Sequence, residues 1–394
     1  MTTQRPRGPR ALAAALAALS GVLALASCGS DGSPASGGSS GATSASASGS
    51  GSGSASASGT AAAGGAVKCG KAATLRASGS TAQQNAMRFW IRNYRKACDG
   101  TRIQYEGSGS GAGQKDFLAG RTAFAGSDSA LRQAQRDRSK KACADGGRAV
   151  HLPMLGGPIA VAYNLPGVKK LVLDAPTLAR IFDGRITKWN DPAIAKLNPK
   201  ADLPATPLKA VHRSDASGTT DNFTAYLHAA TPSGWPHPHG QKWPAKGGDS
   251  ATGSSGLAAK VKRTEGAIGY VELAYAIGKS IPTASLDTGA AAPVDPTVVN
   301  ASKALAGAKV AGSDGDLVLG LDYKPRTAGA YPIGMVTYEI VCDKGNKAKT
   351  WPATKSFLLY AAGMQGQQDL SFQGYATLPA KVMDKVRNKL NSIS

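Results

Sequence analysis

Between Gly29 and Ala66 the chain is almost wholly Gly, Ser and Ala, with one charged residue, Asp31, and no large apolar side chain. A segment with so little to bury cannot offset the entropy of ordering its backbone, so no packed structure is expected there. The tract divides the 394 residues into a short leader and a body from residue 67, which must hold whatever core the protein has. As a flexible coil the tract spans roughly 35 Å, the reach of a tether.

The leader has the layout of an export signal. Arg5, Arg7 and Arg10 precede an apolar run from Ala11 to Ala26, shorter than the roughly 20 residues that span a bilayer. Leu25-Ala26-Ser27-Cys28 matches the bacterial lipobox, in which small residues precede a cysteine that is lipidated and becomes the mature N-terminus. Residues 1–27 are therefore expected to be a lipoprotein signal peptide and Cys28 the acylated (palmitate-bearing) residue, with 28–66 as tether. The expected location is the outer face of the cell membrane, of Gram-positive type, anchored and not spanning. No twin-arginine pair is present, which favours general secretion.

Four cysteines remain: Cys69, Cys98, Cys143 and Cys342. An even number in an exported chain predicts two disulfides, and four cysteines allow three pairings. Cys69 and Cys98 bracket the first strand–helix unit and are expected to pair, leaving Cys143 with Cys342. The absence of a Cys-x-x-Cys pair argues against zinc.

Lys and Arg outnumber Asp and Glu by 46 to 25, for a formal charge of +21. An exported chain this basic suits nucleic acid, acidic wall polymers or small anions. The aromatic share is only 6% and there is no basic run or stacking motif, so nucleic acid is not expected.

From residue 67 short apolar runs alternate with amphipathic stretches, the pattern of an α/β fold. Strands are predicted at 73–77, 102–105, 122–125, 208–211, 267–271 and 335–341, with extended segments at 149–155 and 159–163 parted by Gly156-Gly157-Pro158. Met87, Trp90, Ile91 and Tyr94 fall at helical spacing. Phe117 and Leu118 belong to a second helix, 178–182 to a third and 379–393 to a last amphipathic one.

Four segments place hydroxyls and backbone amides just after strands. They are Gly79-Ser80-Thr81-Ala82, Gly107-Ser108-Gly109-Ser110-Gly111, Ser127-Asp128, and His212-Arg213-Ser214-Asp215-Ala216-Ser217-Gly218-Thr219-Thr220. Ligands of open α/β sheets bind at strand carboxyl ends, and helix N-termini offer unpaired N–H groups to an oxyanion. Arg213 adds a forked donor. Taken singly, each Ser or Thr before a helix is more often an N-cap than a ligand contact. Lys115 lies outside a Gly-Lys-Ser/Thr triplet, so the glycine run fails the nucleotide P-loop pattern.

In order, however, the set resembles the phosphate-binding component (PstS) family of bacterial phosphate ABC transporters. The stretch from Val211 to Thr220 resembles the family's most specific loop. Tyr105 to Gly111, Phe124 to Asp128, Ile186 to Pro192 and Gly266 to Glu272 are similar too. The resemblance implies a two-lobed, hinged periplasmic-binding-protein fold of the type II, Venus-flytrap kind, with a ligand cleft between lobes. Lobe I would be 67–156 plus 334–394 and lobe II 157–333. It implies phosphate contacts from Thr81, Ala82, Ser110, Asp128, Arg213, Ser217, Gly218 and Thr219, with Asp215 holding Arg213. Asp128 would accept a proton carried by phosphate and so repel sulfate, which has none. The position after Thr81 is often Phe in the family and is Ala82 here, a change that a backbone contact survives but that alters packing over the ligand. No cofactor is implied. The expected partners are inorganic phosphate, the membrane through the lipid anchor and the permease subunits, with the chain itself a monomer.

Rival classes are set by other residues. A binder of another oxyanion would use the same fold. A phosphatase-like enzyme would need metal ligands or a nucleophile. His228, His237 and His239 are the candidate ligands, and Ser217 lies near His212 and Asp215 in sequence but has no Gly-x-Ser-x-Gly elbow. His151 is expected to be structural. A wall-polymer binder would share the charge and tether without needing the four loops.

Overall fold

The computed structural model describes residues 67–394. The leader, Cys28 and the Gly/Ser/Ala tract lie outside the described residues. Eight strands form one sheet: β1 (Thr74–Gly79), β2 (Arg102–Glu106), β3 (Phe124–Ser127), β4 (Ala149–Tyr163), β5 (Lys209–Arg213), β6 (Asp249–Ala251), β7 (Ala267–Glu272) and β8 (Gly334–Cys342). Their order is β2-β1-β3-β8-β4-β7-β5-β6. The helices that matter here are α1 (Gln84–Ala97), α2 (Ser110–Leu118), α3 (Ala175–Phe182), α4 (Gly218–Ala230), α5 (Gly253–Arg263), α6 (Leu273–Gly278), α7 (Trp351–Ala362) and α8 (Ala380–Ser392).

Parallel pairs occupy both ends of the sheet. β1 pairs with β2 and β3 at one end, and β5 pairs with β6 and β7 at the other. Parallel neighbours need crossovers, which α1 and α2 supply between the first three strands. The antiparallel strands β8 and β4 join the two ends.

The two extended segments expected on either side of Gly156-Gly157-Pro158 are a single buried strand, β4. Its residues Ala149 to Pro158 run beside β8, and Ile159 to Tyr163 run beside β7. The glycine–proline step is thus where the strand changes partner, not where it stops. Proline cannot donate to a ladder, which suits a position where one ladder ends and another begins.

Two apolar cores flank that step. One joins Leu75, Met87, Trp90, Tyr94 and Phe124 to Phe357 and Leu358 of α7 and to Val386 and Leu390 of α8. The other gathers Ile159, Val161, Phe182, Trp189, Phe223, Trp235 and Tyr270. Each such large side chain contributes about 1.5–3 kcal/mol on full burial. The last two helices therefore return to the core of the first strands. Met87, Trp90 and Tyr94 are buried as their spacing predicts, with Ile91 half-buried beside them. Helix α7 was not legible in the sequence because it is buried on nearly all sides, which erases the amphipathic period. Trp189 of the Ile186–Pro192 motif serves the second core, its Nε1 donating to Gly266 O at 3.0 Å.

The disulfides are Cys69–Cys98 and Cys143–Cys342, the expected pairing. They link residues 29 and 199 positions apart, so each restricts the unfolded chain by about 3–5 kcal/mol. Among the described residues no helix is long and apolar enough to cross a membrane.

Candidate anion-binding site

The four hydroxyl-rich segments all fall at strand carboxyl ends, as read from the sequence, and the fold brings them together. β1 ends at Gly79, whose φ of 140° belongs to glycine and where a side chain would strike the Gly126 carbonyl. This turn delivers Ser80, Thr81 and Ala82. Ser110 is the first residue of α2, Asp128 follows β3, and Arg213 is the last residue of β5. Gly218 opens α4 so close to its neighbours that a Cβ would sit 2.6 Å from both Asp128 Cβ and Ser110 Oγ.

Arg213 is the hub. The residue is 3% exposed, and its guanidinium grips Asp215 with two bonds, Nε to Oδ1 at 2.7 Å and Nη2 to Oδ2 at 2.5 Å. Burial opposes both charges, but the mutual hydrogen bonds and charge outweigh it. Asp215 is held below the usual carboxylate range and Arg213 above its own. Asp215 also accepts from Gly253 N at 2.9 Å. The remaining guanidinium donors reach Thr81 Oγ1 at 3.0 Å, Thr219 Oγ1 at 3.3 Å and Ser254 Oγ at 3.3 Å.

Asp128 is buried beside this hub and ringed by hydroxyls. Ser80 donates to its Oδ1 at 2.6 Å, Thr337 to Oδ1 at 2.7 Å and Ser110 to Oδ2 at 3.1 Å. Burial raises its pKa and the nearby Glu272 charge adds to that, while the hydroxyls pull it down, leaving it at about 6. Its carbonyl accepts from Asn222 Nδ2 at 2.7 Å, a tie between the β3 loop and α4.

The other expected residues take different parts. Ser217 caps α4, its Oγ accepting from Thr220 N at 3.2 Å, while its own amide donates to Gln241 O at 2.9 Å. The amides of Gly218 and Thr219, in the first turn, have no acceptor within the helix. Thr219 Oγ1 donates to Glu272 Oε1 at 2.5 Å. The Ala82 amide donates to Ser80 Oγ at 3.1 Å, and the Ala82 carbonyl accepts from Tyr375 Oη at 2.9 Å. That tyrosine and Tyr275, which donates to Thr81 O at 2.6 Å, pack the turn that carries Ala82.

Five residues of this cluster, Ser80, Ser254, Glu272, Thr337 and Glu339, were given no role from the sequence, although Ser80 and Glu272 lie inside segments quoted there. Ser80 and Thr337 hold Asp128, and Ser254 donates its amide to Thr81 Oγ1 at 3.1 Å. A signal existed for Ser254: Thr252-Gly253-Ser254-Ser255-Gly256, which follows β6 and opens α5, is a fifth hydroxyl-rich strand end of the same kind. Thr337 and Glu339 carried no such signal, because they sit inside a strand otherwise rich in apolar residues. Glu339 is fully buried, neither oxygen has a hydrogen-bond partner among the described residues, and Gln83, the adjacent amide, donates to Tyr105 Oη at 3.1 Å. Burial pushes the Glu339 pKa to about 8; the nearby Gln83 amide opposes the rise and the Asp128 charge adds to it. Glu272 is the third buried acid of this cluster, its Oε2 without a partner among the described residues.

The histidines go elsewhere. His237 and His239 face different carboxylates, Asp183 and Asp221. His212 Nδ1 faces the Arg213 carbonyl at 3.0 Å. His151 is buried against Asp316 and accepts from Leu131 N at 2.8 Å. Among the described residues no three His, Cys, Asp or Glu converge as metal ligands. A cavity of about 1000 Å³ opens beside Asp128, with Arg132, Arg138, His239 and Lys242 along its wall.

Known proteins match this architecture over most of its length. A family model described as a PBP superfamily domain matches residues 40–363. The phosphate-binding protein PstS 2 of Mycobacterium tuberculosis is 43% identical over 335 residues, covering 84% of this chain and 90% of the relative. The phosphate-binding protein PstS of Methanocaldococcus jannaschii is 34% identical over 340 residues, 81% of this chain and 86% of the relative. In fold, the chain is similar to PfluDING, a high-affinity periplasmic phosphate-binding protein solved with phosphate bound at pH 8.5. The TM-score is 0.67 at 22% identity, over 80% of this chain and 93% of that one. Its two cores, its shared central strand and its relatives agree: the chain belongs to the PstS family of phosphate-binding proteins, within the PBP superfamily.

Proposed function

We propose that this chain is the substrate-binding component of a phosphate ABC importer, capturing inorganic phosphate outside the membrane and handing it to the permease. The observation that carries this reading is the convergence of one buried, forked cation with helix N-termini and a carboxylate. Arg213, the first turns of α2 and α4, and Asp128 meet within hydrogen-bond reach of shared partners. Thr81, Ala82, Ser110, Asp128, Arg213, Ser217, Gly218 and Thr219 form the proposed phosphate site, with Asp215 fixing the plane of Arg213. An oxyanion there gains amides and a charge-assisted fork. Asp128 asks for a ligand that still carries a proton, which separates phosphate from sulfate.

Capture would run through a hinge. Lobe I is read as 67–156 plus 334–394 and lobe II as 157–333, connected through β4, which crosses the boundary, and through the chain entering β8, so that bending at the Gly156–Pro158 step opens the cleft. The basic wall of the cavity beside Asp128 would raise the local anion concentration. The chain supplies binding and no chemistry; the relatives it matches are binding proteins by name. In this reading the protein works as a monomer tethered through lipidated Cys28.

Calorimetric titration of the purified chain, unfolded and refolded to strip carried-over ligand, tests the proposal. One-to-one phosphate binding with sulfate inert is the expected result. Sulfate binding would reassign the ligand, and binding of neither would return the enzyme and wall-polymer readings.

A further inference from the structure

Thr219 has one hydroxyl proton, and the structure commits it. Oγ1 donates to Glu272 Oε1 at 2.5 Å, while Arg213 Nη1 donates to the same oxygen from 3.3 Å. A hydroxyl has one proton and two lone pairs. With the proton on Glu272 and one lone pair facing Arg213, what Thr219 has left to offer is a lone pair. A carboxylate can only accept, so the direction of this bond is set by Glu272.

We propose that Glu272 is a specificity-determining residue that acts through Thr219, turning its hydroxyl into an acceptor for a proton carried by the bound anion. The site then has two proton readers on different elements. Asp128 has spare capacity on Oδ2, which takes only the Ser110 hydroxyl, whereas Oδ1 takes two. Thr219 is the second. Glu272 is 3% exposed and its Oε2 has no partner among the described residues, a costly arrangement for a residue that served packing alone. The charged and titratable groups around it are Arg213 of β5, Asp128 after β3, Tyr275 of α6 and Tyr375 ahead of α8. Arg213 is the only cation of the four and is already paired with Asp215. An anion with no proton therefore meets lone pairs at both Asp128 and Thr219.

This inference rests on the phosphate reading above, and the experiment separates the two. Phosphate affinity, and sulfate affinity by competition, are measured for the refolded wild type, Glu272→Met, Thr219→Val and the double variant. Glu272→Met frees the Thr219 proton to donate to any oxyanion, so the phosphate-to-sulfate ratio should narrow by roughly tenfold, about the worth of one hydrogen bond. Thr219→Val should narrow it similarly by costing phosphate more than sulfate, and the double variant should narrow it no further than Thr219→Val does. Should Glu272→Met not fold, Glu272→Gln takes its place: its amide can donate to Thr219 Oγ1 and free the hydroxyl proton, so the ratio should narrow in the same way, and an unchanged ratio would overturn the role of Glu272. Equal losses of phosphate and sulfate in the single variants, or additive effects in the double, would overturn the role of Glu272. A wild type that binds no phosphate would instead sink the function itself.

Discussion

Thr337 Oγ1 donates to Asp128 Oδ1 at 2.7 Å, across 209 positions of sequence. The bond ties β8 to the loop after β3, and with Ser80 and Ser110 it holds a buried carboxylate in one orientation. Those three hydroxyls offset part of the cost of burial, and the Asp128 pKa still rises to about 6. Asp128 is thus fixed, desolvated and short of one donor, which a protonated oxyanion would supply.

The consequence for selectivity is direct. Asp128→Asn replaces an obligate acceptor with a group that also donates, so sulfate should gain on phosphate by at least about tenfold. The fold should survive, since an amide oxygen still accepts from the hydroxyls. Competition titrations of both anions against the refolded variant check this, and an unchanged ratio would remove Asp128 as the discriminator.

Arg213→Ala removes the charge-assisted fork and leaves Asp215 buried without its cation. Phosphate binding should weaken by about 2–3 kcal/mol, one to two orders of magnitude in Kd. Arg213→Lys should recover only part of that, because an ammonium cannot span Asp215 and the ligand as a planar fork does. Wild-type affinity in the alanine variant would place the anion elsewhere.

Gly218→Ala tests the close approach of α4 to the β3 loop. The added methyl would lie 2.6 Å from Asp128 Cβ and Ser110 Oγ, so the two loops must part. Alanine is otherwise favourable in a helix. The expected result is a normally folded protein with phosphate affinity reduced at least about tenfold. Unimpaired binding would show that this approach is not needed to hold the ligand.

Glu339 gives a stability signature that needs no ligand. Its pKa is raised from 4.5 to about 8 by burial, so the folded state binds this proton more tightly than the unfolded chain. The stabilisation is fully present below about pH 4.5 and is lost as pH rises through about 8, at up to about 1.4 kcal/mol per pH unit. Asp128 contributes in the same direction from 3.8 to about 6. Denaturant unfolding across this range should show wild type losing stability while Glu339→Gln stays flatter above pH 6. Parallel curves for the two proteins would show that Glu339 does not hold a proton in the folded state.

What could be read from the sequence was local. The tract from Gly29 to Ala66 has nothing to bury, and the hydroxyl-rich turns follow apolar runs, so strand ends and helix starts were legible from residue type and spacing. Arg213 and Asp215 lie two positions apart on one loop and were legible as a pair. Which groups face one another was not. Thr337, Glu339 and Glu272 lie within strands, where a polar residue reads as a surface position unless its neighbours are known. The parallel and antiparallel ladders bury those strands on both sides and carry their polar side chains to the site. Burial, in turn, decides that Glu339 keeps its proton, that Thr219 spends its own on Glu272, and that Asp128 is left to ask for one. Sequence determined where an anion could be met; the packing of distant strands decided the protonation and hydrogen-bond direction with which it is met, because those depend on desolvation and on partners far away in the chain.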